Sequence, residues 1–197
     1  MDDGEEFENI KLLVVGDQSV GKSSLILRYT EDTFSNNMIS TIGVEFKRKK
    51  INIDKKEFNI IIYDSAGNER YTKITKHFYA GCHGILILYD ANNKHTFEGI
   101  SKWVQTLQID ENLDVMVVGN KIDLEKNVTT EEGKIIAKDY GTLFVETSAK
   151  SGIGVNRAFE LLIEKIIEKS KIPKVKSIKT ISEVKNSTEA NKKSKCC

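Results

Sequence analysis

Along the chain, short apolar runs alternate with longer stretches in which apolar residues recur every three or four positions. Lys11–Val15, Glu57–Tyr63, Ile85–Tyr89, Val115–Val118 and Leu143–Glu146 read as strands. Several lack polar alternation, which predicts burial on both faces of a parallel sheet. Between them, Lys22–Tyr29, Thr96–Ile109, Thr130–Tyr140 and Val155–Lys169 carry helical spacing, as in Phe97, Ile100, Val104 and Leu107. Thr129, followed three residues later by Glu132, predicts a capping box for the third helix. One interval departs from the alternation. Val44–Ile53 and Glu57–Tyr63 are both strand-like and are separated only by a short segment containing Asp54, Lys55 and Lys56, which predicts a hairpin and one antiparallel strand. The remaining βαβα order predicts an α/β fold with a largely parallel sheet, and there is no internal repeat. From Lys171 the pattern dissolves into Lys, Ser, Thr, Asn and Glu. The single proline, Pro173, marks the exit from the last helix, and the tail is expected to be disordered when free.

Composition narrows the picture. A length of 197 residues suits one domain, and 39% hydrophobic with 30% charged residues is ordinary for a soluble globular protein. The net charge of +1 conceals an asymmetry. Residues 1–8 hold two aspartates and three glutamates with no base, whereas residues 171–197 hold eight lysines against two glutamates. An acidic start without an apolar run is unlike a secretory signal and predicts a cytosolic protein. No apolar run approaches the roughly 20 residues of a spanning helix. The three cysteines, Cys82, Cys196 and Cys197, make a poor disulfide framework and suit a reducing compartment.

The chemistry concentrates in loops that follow strands. Gly16-Asp17-Gln18-Ser19-Val20-Gly21-Lys22-Ser23 matches the G-x-x-x-x-G-K-[ST] loop and sits between a strand and a helix, as that loop requires. By average residue frequencies such a match arises by chance in about one chain of this length per hundred, so an ordinary turn is the weaker reading. Glycines let the backbone wrap closely, its N–H groups and the helix N-terminus face phosphates, Lys22 neutralises β- and γ-phosphate charge, and the Ser23 hydroxyl can ligate Mg²⁺. Gln18, Ser19, Val20, Gly21, Lys22, Ser23 and Ser24 are therefore candidate nucleotide contacts. The base is read elsewhere. In Asn120-Lys121-Ile122-Asp123 the Asp123 carboxylate can accept from both N1–H and the exocyclic amine of guanine, a pair adenine cannot offer. Asn120 can tie this loop to the phosphate loop, and the Lys121 stem can cover the base. The backbone of Ser148-Ala149-Lys150 can meet the guanine oxygen. In Asp64-Ser65-Ala66-Gly67 the carboxylate can hold Mg²⁺ through water and the Gly67 N–H can sense the γ-phosphate. Thr41 can reach Mg²⁺ and the γ-phosphate only when GTP is bound, so loss of that phosphate would release both loops.

With these residues in place, the sequence resembles the Ras superfamily of small GTPases and, within it, the Rab family. The resemblance spans about Ile10 to Lys169 and resumes at the terminal cysteines. Thr41-Ile42-Gly43-Val44-Glu45-Phe46 is similar to the Rab effector loop, and Asn68-Glu69-Arg70-Tyr71 and Phe78-Tyr79-Ala80-Gly81 to later switch segments. It implies the phosphate-binding-loop small-GTPase fold: a six-stranded, mostly parallel sheet with one antiparallel strand and helices on both faces. It divides the chain into an acidic extension (1–9), a GTP-binding domain (10–170) and a flexible tail (171–197). It implies GTP or GDP with Mg²⁺, held metal-side by Ser23, Thr41 and Asp64, and it implies that Phe34 stacks on the guanine edge. Phe46, Tyr63 and Phe78 become the aromatic cluster that effectors read, with tyrosine where tryptophan is usual. Cys196-Cys197 resembles a double geranylgeranylation site, which with the lysine-rich tether would anchor the protein at the cytosolic face of an intracellular membrane. The implied partners are effectors, an exchange factor, a TBC-type GTPase-activating protein, an escort protein and a GDP dissociation inhibitor. The protein itself is expected to be monomeric and not to bind nucleic acid.

Two departures bear on catalysis, whose implied residues are Asn68, Lys22, Gly67 and Thr41. Where the family has a glutamine that orients the attacking water, this chain has Asn68, one methylene shorter, so intrinsic hydrolysis is expected to be slow. Gln18 is larger than the residue common at its position and crowds the same region. TBC-type activators supply arginine and glutamine in trans and could bypass Asn68. Two readings stand beside the GTP-hydrolysing switch: a GTP-loaded membrane scaffold with negligible hydrolysis, and an ATP-using phosphotransferase, which Asp123 disfavours. His77, His83 and His95 lack metal spacing and read as structural or exposed. Trp103 reads as core packing and Cys82 as a small buried residue.

Overall fold

The computed structural model describes residues 8–53, 55–67, 78–79, 81–107 and 113–169. Alternate residues of the first strand, β1 (Glu8–Gly16), enter two different cores. Ile10, Leu12 and Val14 join one, and Leu13 and Val15 join the other. A strand with no solvent face must lie inside a sheet covered on both sides. The sheet has six strands in the order β2-β3-β1-β4-β5-β6, with β2 (Val44–Ile53), β3 (Lys56–Ser65), β4 (Gly84–Asp90), β5 (Asp114–Asn120) and β6 (Leu143–Glu146). All neighbours are parallel except β2 and β3, which pair antiparallel from Val44 opposite Ser65 to Ile53 opposite Lys56. The hairpin and its antiparallel strand are as the pattern predicts, and β4 and β5 are buried throughout, as unbroken apolar runs require. Asp54 lies outside the described residues.

Helices α1 (Lys22–Glu31) and α5 (Val155–Lys169) cover one face, where Tyr29 stacks on Phe159 with centroids 3.9 Å apart. The other face is covered by α2 (Lys94–Glu98), α3 (Ile100–Leu107) and α4 (Thr130–Asp139). The Thr129–Glu132 capping box forms in both directions. The helix expected over Thr96–Ile109 is instead two segments that meet at Gly99, and Ile109 lies outside the described residues. Gly99 has ordinary helical angles, φ −65° and ψ −16°, so a turn requirement does not explain the glycine. Pro173, the tail and His77 also lie outside the described residues.

The strand order places the site. From β1 the chain turns first to β2 and β3 on one side and then to β4 on the other, so a crevice opens at the carboxyl end of β1, where α/β sheets bind ligands. Gly16, Asp64, Asp90 and Asn120 all lie at carboxyl ends of their parallel strands along this edge.

Packing on the opposite face sets a test. Gly133, inside α4, lies against the Phe144 ring, and a Cβ there would overlap that ring and stand 2.7 Å from the Tyr89 hydroxyl. Glycine-to-alanine in a helix gains about 1 kcal/mol of propensity, while overpacking costs about 1–3 kcal/mol. Gly133→Ala is expected to lower unfolding free energy by about 1 kcal/mol in urea titration. A stabilised variant would show that the ring retreats freely.

Candidate functional site

The loop after β1 folds back by backbone conformations that side chains rarely adopt. Ser19 has φ 65° and Gly21 φ 95°, and a Cβ on Gly21 would stand 2.5 Å from the Asn120 amide nitrogen. Only glycine fits there. The turn launches α1 without a side-chain cap and with no acidic residue in its first turn, so its N–H groups and positive dipole end are left facing the crevice. The crevice is a cavity of ≈ 590 Å³, lined at one end by Gln18, Ser19, Gly21, Lys22, Ser23 and Ser24 with Thr41 and Gly67, and at the other by Phe34, Asn120, Lys121, Asp123, Ala149 and Lys150. Val20 is buried beneath the loop, and its carbonyl accepts from Asn120.

At the first end, Lys22 is 7% exposed and its ammonium donates to the carbonyls of Gly16 (2.9 Å) and Asp17 (2.7 Å). Burial lowers its pKa to about 8 from the ordinary 10.5, with Asp64 and Asp17 partly opposing the shift. The Ser23 hydroxyl donates to Asp64 Oδ2 at 2.5 Å, and Thr41 Oγ1 lies 2.9 Å from Ser23 Oγ. Since serine has one proton to give, Thr41 is the donor in that second contact. Burial raises the Asp64 pKa, opposed by the Ser23 bond and Lys22, and Asp64 Oδ1 is buried with no hydrogen-bond partner. Two hydroxyls and a carboxylate with an orphaned oxygen form a set of hard oxygen donors. They fit a small divalent cation that takes few protein ligands and completes its shell with water and phosphate. Among the described residues no cluster of three His, Cys, Asp or Glu suggests a softer metal.

At the other end, Asn120 is 1% exposed and uses its whole side chain. Its amide donates to the Val20 carbonyl (2.9 Å), and its oxygen accepts from Thr147 Oγ1 (3.1 Å) and the Ala149 N–H (3.2 Å). Asp123 Oδ1 accepts from Ser148 Oγ at 2.6 Å, which orients the carboxylate at the cavity rim. Lys121 adopts φ 65°, and its ammonium pairs with Asp90 at 2.7 Å. Thus Asn120, Lys121, Asp123, Ser148, Ala149 and Lys150 come together, as their motifs imply. Asn68, Cys196 and Cys197 lie outside the described residues, as do Glu69, Arg70, Tyr71 and Ala80. Of the aromatic cluster, Phe46 stands opposite Tyr63 across β2 and β3, and Tyr63 meets Phe78 with centroids 5.1 Å apart. Cys82 is half-buried, as its thiol donates to the Phe78 carbonyl, and His83 is structural, accepting the Lys11 N–H through Nδ1.

Four participants escape sequence reading. Arg28 reaches from α1 to the carbonyls of Ala149 (2.9 Å) and Lys150 (3.0 Å), bracing the loop after β6. Asp90 anchors Lys121. Trp103 is buried, as expected, but its indole N–H donates to Asp17 Oδ1 at 2.8 Å. Asp17 itself sits at a freely variable position of the loop motif. No local signal marks these contacts, since each joins residues at least 31 positions apart.

A Ras family model matches residues 11–168. The chain is 40% identical over 172 residues to Ras-related protein Rab-18 of Lymnaea stagnalis, covering 85% of each chain. It is 42% identical over 163 residues to Ras-related protein Rab-8B of Homo sapiens, covering 81% of this chain and 79% of the relative. This chain belongs to the Rab family of small GTPases. Ras-related protein RABA5e of Arabidopsis thaliana matches at 39% identity over 211 residues, covering 100% of this chain and 97% of the relative. As a Rab GTPase the protein binds guanine nucleotide and hydrolyses GTP. No helix among the described residues is long and apolar enough to cross a membrane.

The desolvated Lys22 gives this Rab a pH signature. In the nucleotide-free protein the folded amine keeps its proton only to about pH 8, and the unfolded one to 10.5. Folding therefore releases a proton between those values, and the Lys22 contribution to stability rises with pH through that window. Unfolding free energies of wild type and Lys22→Met should diverge in favour of wild type from pH 8 to pH 10. A flat difference would mean that the amine is not desolvated.

Proposed function

We propose that this Rab is a Mg²⁺-dependent GTP switch with slow intrinsic hydrolysis, which recruits effectors to an intracellular membrane in its GTP state. The observation that carries the reading is one cavity with Lys22, Ser23 and Thr41 at one end, where Asp64 bonds to Ser23, and Asn120, Asp123 and Ala149 at the other, a phosphate end and a base end in this reading. Lys22 would exchange the Gly16 and Asp17 carbonyls for β- and γ-phosphate oxygens, and the loop N–H groups with the α1 N-terminus would take the remaining phosphate charge. Phosphate beside the ammonium would also raise its depressed pKa. Ser23, Thr41 and Asp64 would hold Mg²⁺, whose contribution when bound is to offset charge on the β- and γ-oxygens. Asp123 would accept from the two guanine donors, Phe34 would cover the base edge and Lys121 its face. Gln18, Ser19, Val20 and Ser24 would contribute the rest of the phosphate cradle. Gly67 would sense the γ-phosphate.

The rate follows from Asn68. Phosphoryl transfer is accelerated mainly by positioning and charge stabilisation, and a carboxamide one methylene short places the attacking water poorly. An activating protein of the TBC type would restore turnover, since an arginine finger is generally worth about 10³–10⁵ in rate. Residues 10–170 constitute the switch domain, with the acidic segment 1–9 ahead of it. Residues 171–197 serve as a tether whose Cys196 and Cys197 carry geranylgeranyl groups. The names of the relatives support a role in vesicle traffic, with Phe46, Tyr63 and Phe78 as the effector-reading surface and the protein acting as a monomer.

Single-turnover hydrolysis of bound GTP tests the central claim. Asn68→Gln should accelerate hydrolysis many-fold, whereas equal rates would show that another group positions the water. Wild-type turnover that stays negligible even with a TBC-type activator would favour the GTP-loaded scaffold instead. Base selection has its own test: Asp123→Ala should weaken GDP binding by about 10³-fold or more, and ATP should fail to displace GDP from wild type. Effective competition by ATP would overturn the assignment of Asp123.

A further inference from the structure

The side chain of Asp17 is held from outside the loop that contains it. Its Oδ1 accepts from the Trp103 indole at 2.8 Å. Its Oδ2 occupies a notch at the α2–α3 junction, where a Cβ on Gly99 would stand 2.7 Å from it. Gly99 needs no special angles, so space for this carboxylate is the reason for a glycine there. The two features belong to one unit, because the Trp103 N–H of the main chain donates to the Gly99 carbonyl at 3.2 Å. The main chain of Asp17 has two further duties. Its carbonyl accepts from Lys22 at 2.7 Å, and Gly67 packs so closely on the Asp17–Gln18 peptide that a Cβ would stand 2.5 Å from the carbonyl oxygen.

We propose that Trp103 is a positioning residue for nucleotide: its indole N–H holds the Asp17 carboxylate in the Gly99 notch and so fixes the Asp17–Gln18 peptide between bound phosphate and Gly67. This rests on reading the loop as the phosphate site. Helix α3 thereby sets the retention of nucleotide without touching it. A hydrogen bond to a carboxylate is among the stronger neutral-donor contacts, and its loss frees a segment whose N–H groups must point at phosphate together.

The test uses the full chain loaded with fluorescent N-methylanthraniloyl-GDP in Mg²⁺, with release followed after excess GDP is added. Trp103→Phe keeps an aromatic ring and removes the donor, and Asp17→Ala removes the acceptor. Each should speed release about tenfold, and the double variant should also show about tenfold, because both remove one contact. A purely structural role for the ring would leave release unchanged in Trp103→Phe, and independent roles would multiply to about a hundredfold. Either result overturns the proposal. A second readout needs no variant at the tryptophan. Trp103 is the chain's one tryptophan, so its intrinsic emission should shift between wild type and Asp17→Ala, where the indole N–H loses its acceptor. Identical emission in wild type and Asp17→Ala also overturns the proposal. The two readings fail differently: a wild type that does not bind the labelled GDP sinks the phosphate-site reading, whereas normal binding with unaltered release in Trp103→Phe sinks only the role of Trp103.

Discussion

The functional edge of this Rab is organised around one buried amide. Asn120 has two kinds of hydrogen-bonding group and no solvent to satisfy them, and a buried polar group left unpaired costs about 1–3 kcal/mol. It therefore holds in register two segments that together offer three partners: the loop after β1, through the Val20 carbonyl, and the loop after β6, through the Thr147 hydroxyl and the Ala149 N–H. The same amide forbids a side chain at Gly21 and so imposes the left-handed turn that starts α1. Phosphate cradle and base reader thus share one fixed point, and the distance between them is set by the sheet below rather than by either loop.

What could be read from the sequence, and what could not, divides along the same physical line. Strands β4 and β5, the hairpin and the Thr129 cap follow from local periodicity and side-chain chemistry, and they form as expected. The loop motifs were legible because their chemistry demands particular residues at fixed spacing. Asn68 and the terminal cysteines have a sequence reading but lie outside the described residues. The contacts that brace the site are of another kind. Arg28 lies 121 residues from Ala149 and Trp103 86 residues from Asp17, and nothing in their neighbourhoods distinguishes them from ordinary surface arginine and core tryptophan. The break at Gly99 within one apolar stripe is the same case, because the glycine answers to a carboxylate on a distant loop.

Electrostatics gives the site a reason to bind. Lys22 is held in a desolvated position that disfavours its charge, and Asp64 is buried with one oxygen unpaired. Both groups are disfavoured by burial, and phosphate with a divalent cation, bound as proposed, would relieve both at once. Binding of this kind stabilises the folded state by mass action, so occupancy and stability of this Rab are linked quantities. Beneath the site lie two cores built largely of Val, Ile and Leu, with Tyr29, Phe58 and Phe159 in one and Tyr89 and Trp103 in the other.

The loop that carries Thr41 contrasts with this framework in how little apolar surface it buries. Ile39 and Ile42, on either side of Thr41, are 90% and 76% exposed, so the segment buries almost no apolar surface of its own. Its attachment runs through the Thr41–Ser23 hydroxyl contact and the Ala66 N–H donating to the Gly43 carbonyl at 2.8 Å. The second contact joins the Thr41 loop to the Gly67 loop. Under the proposed switch, a loop with so few bonds would change state for a small free energy, which the loss of a single phosphate contact could supply. The buried hydrogen bonds gather on the side where Asn120 and Trp103 hold the loop after β1, and under the proposed switch that asymmetry would let loss of one phosphate be felt at Thr41 and Gly67 while the loop of Asn120 stays in place.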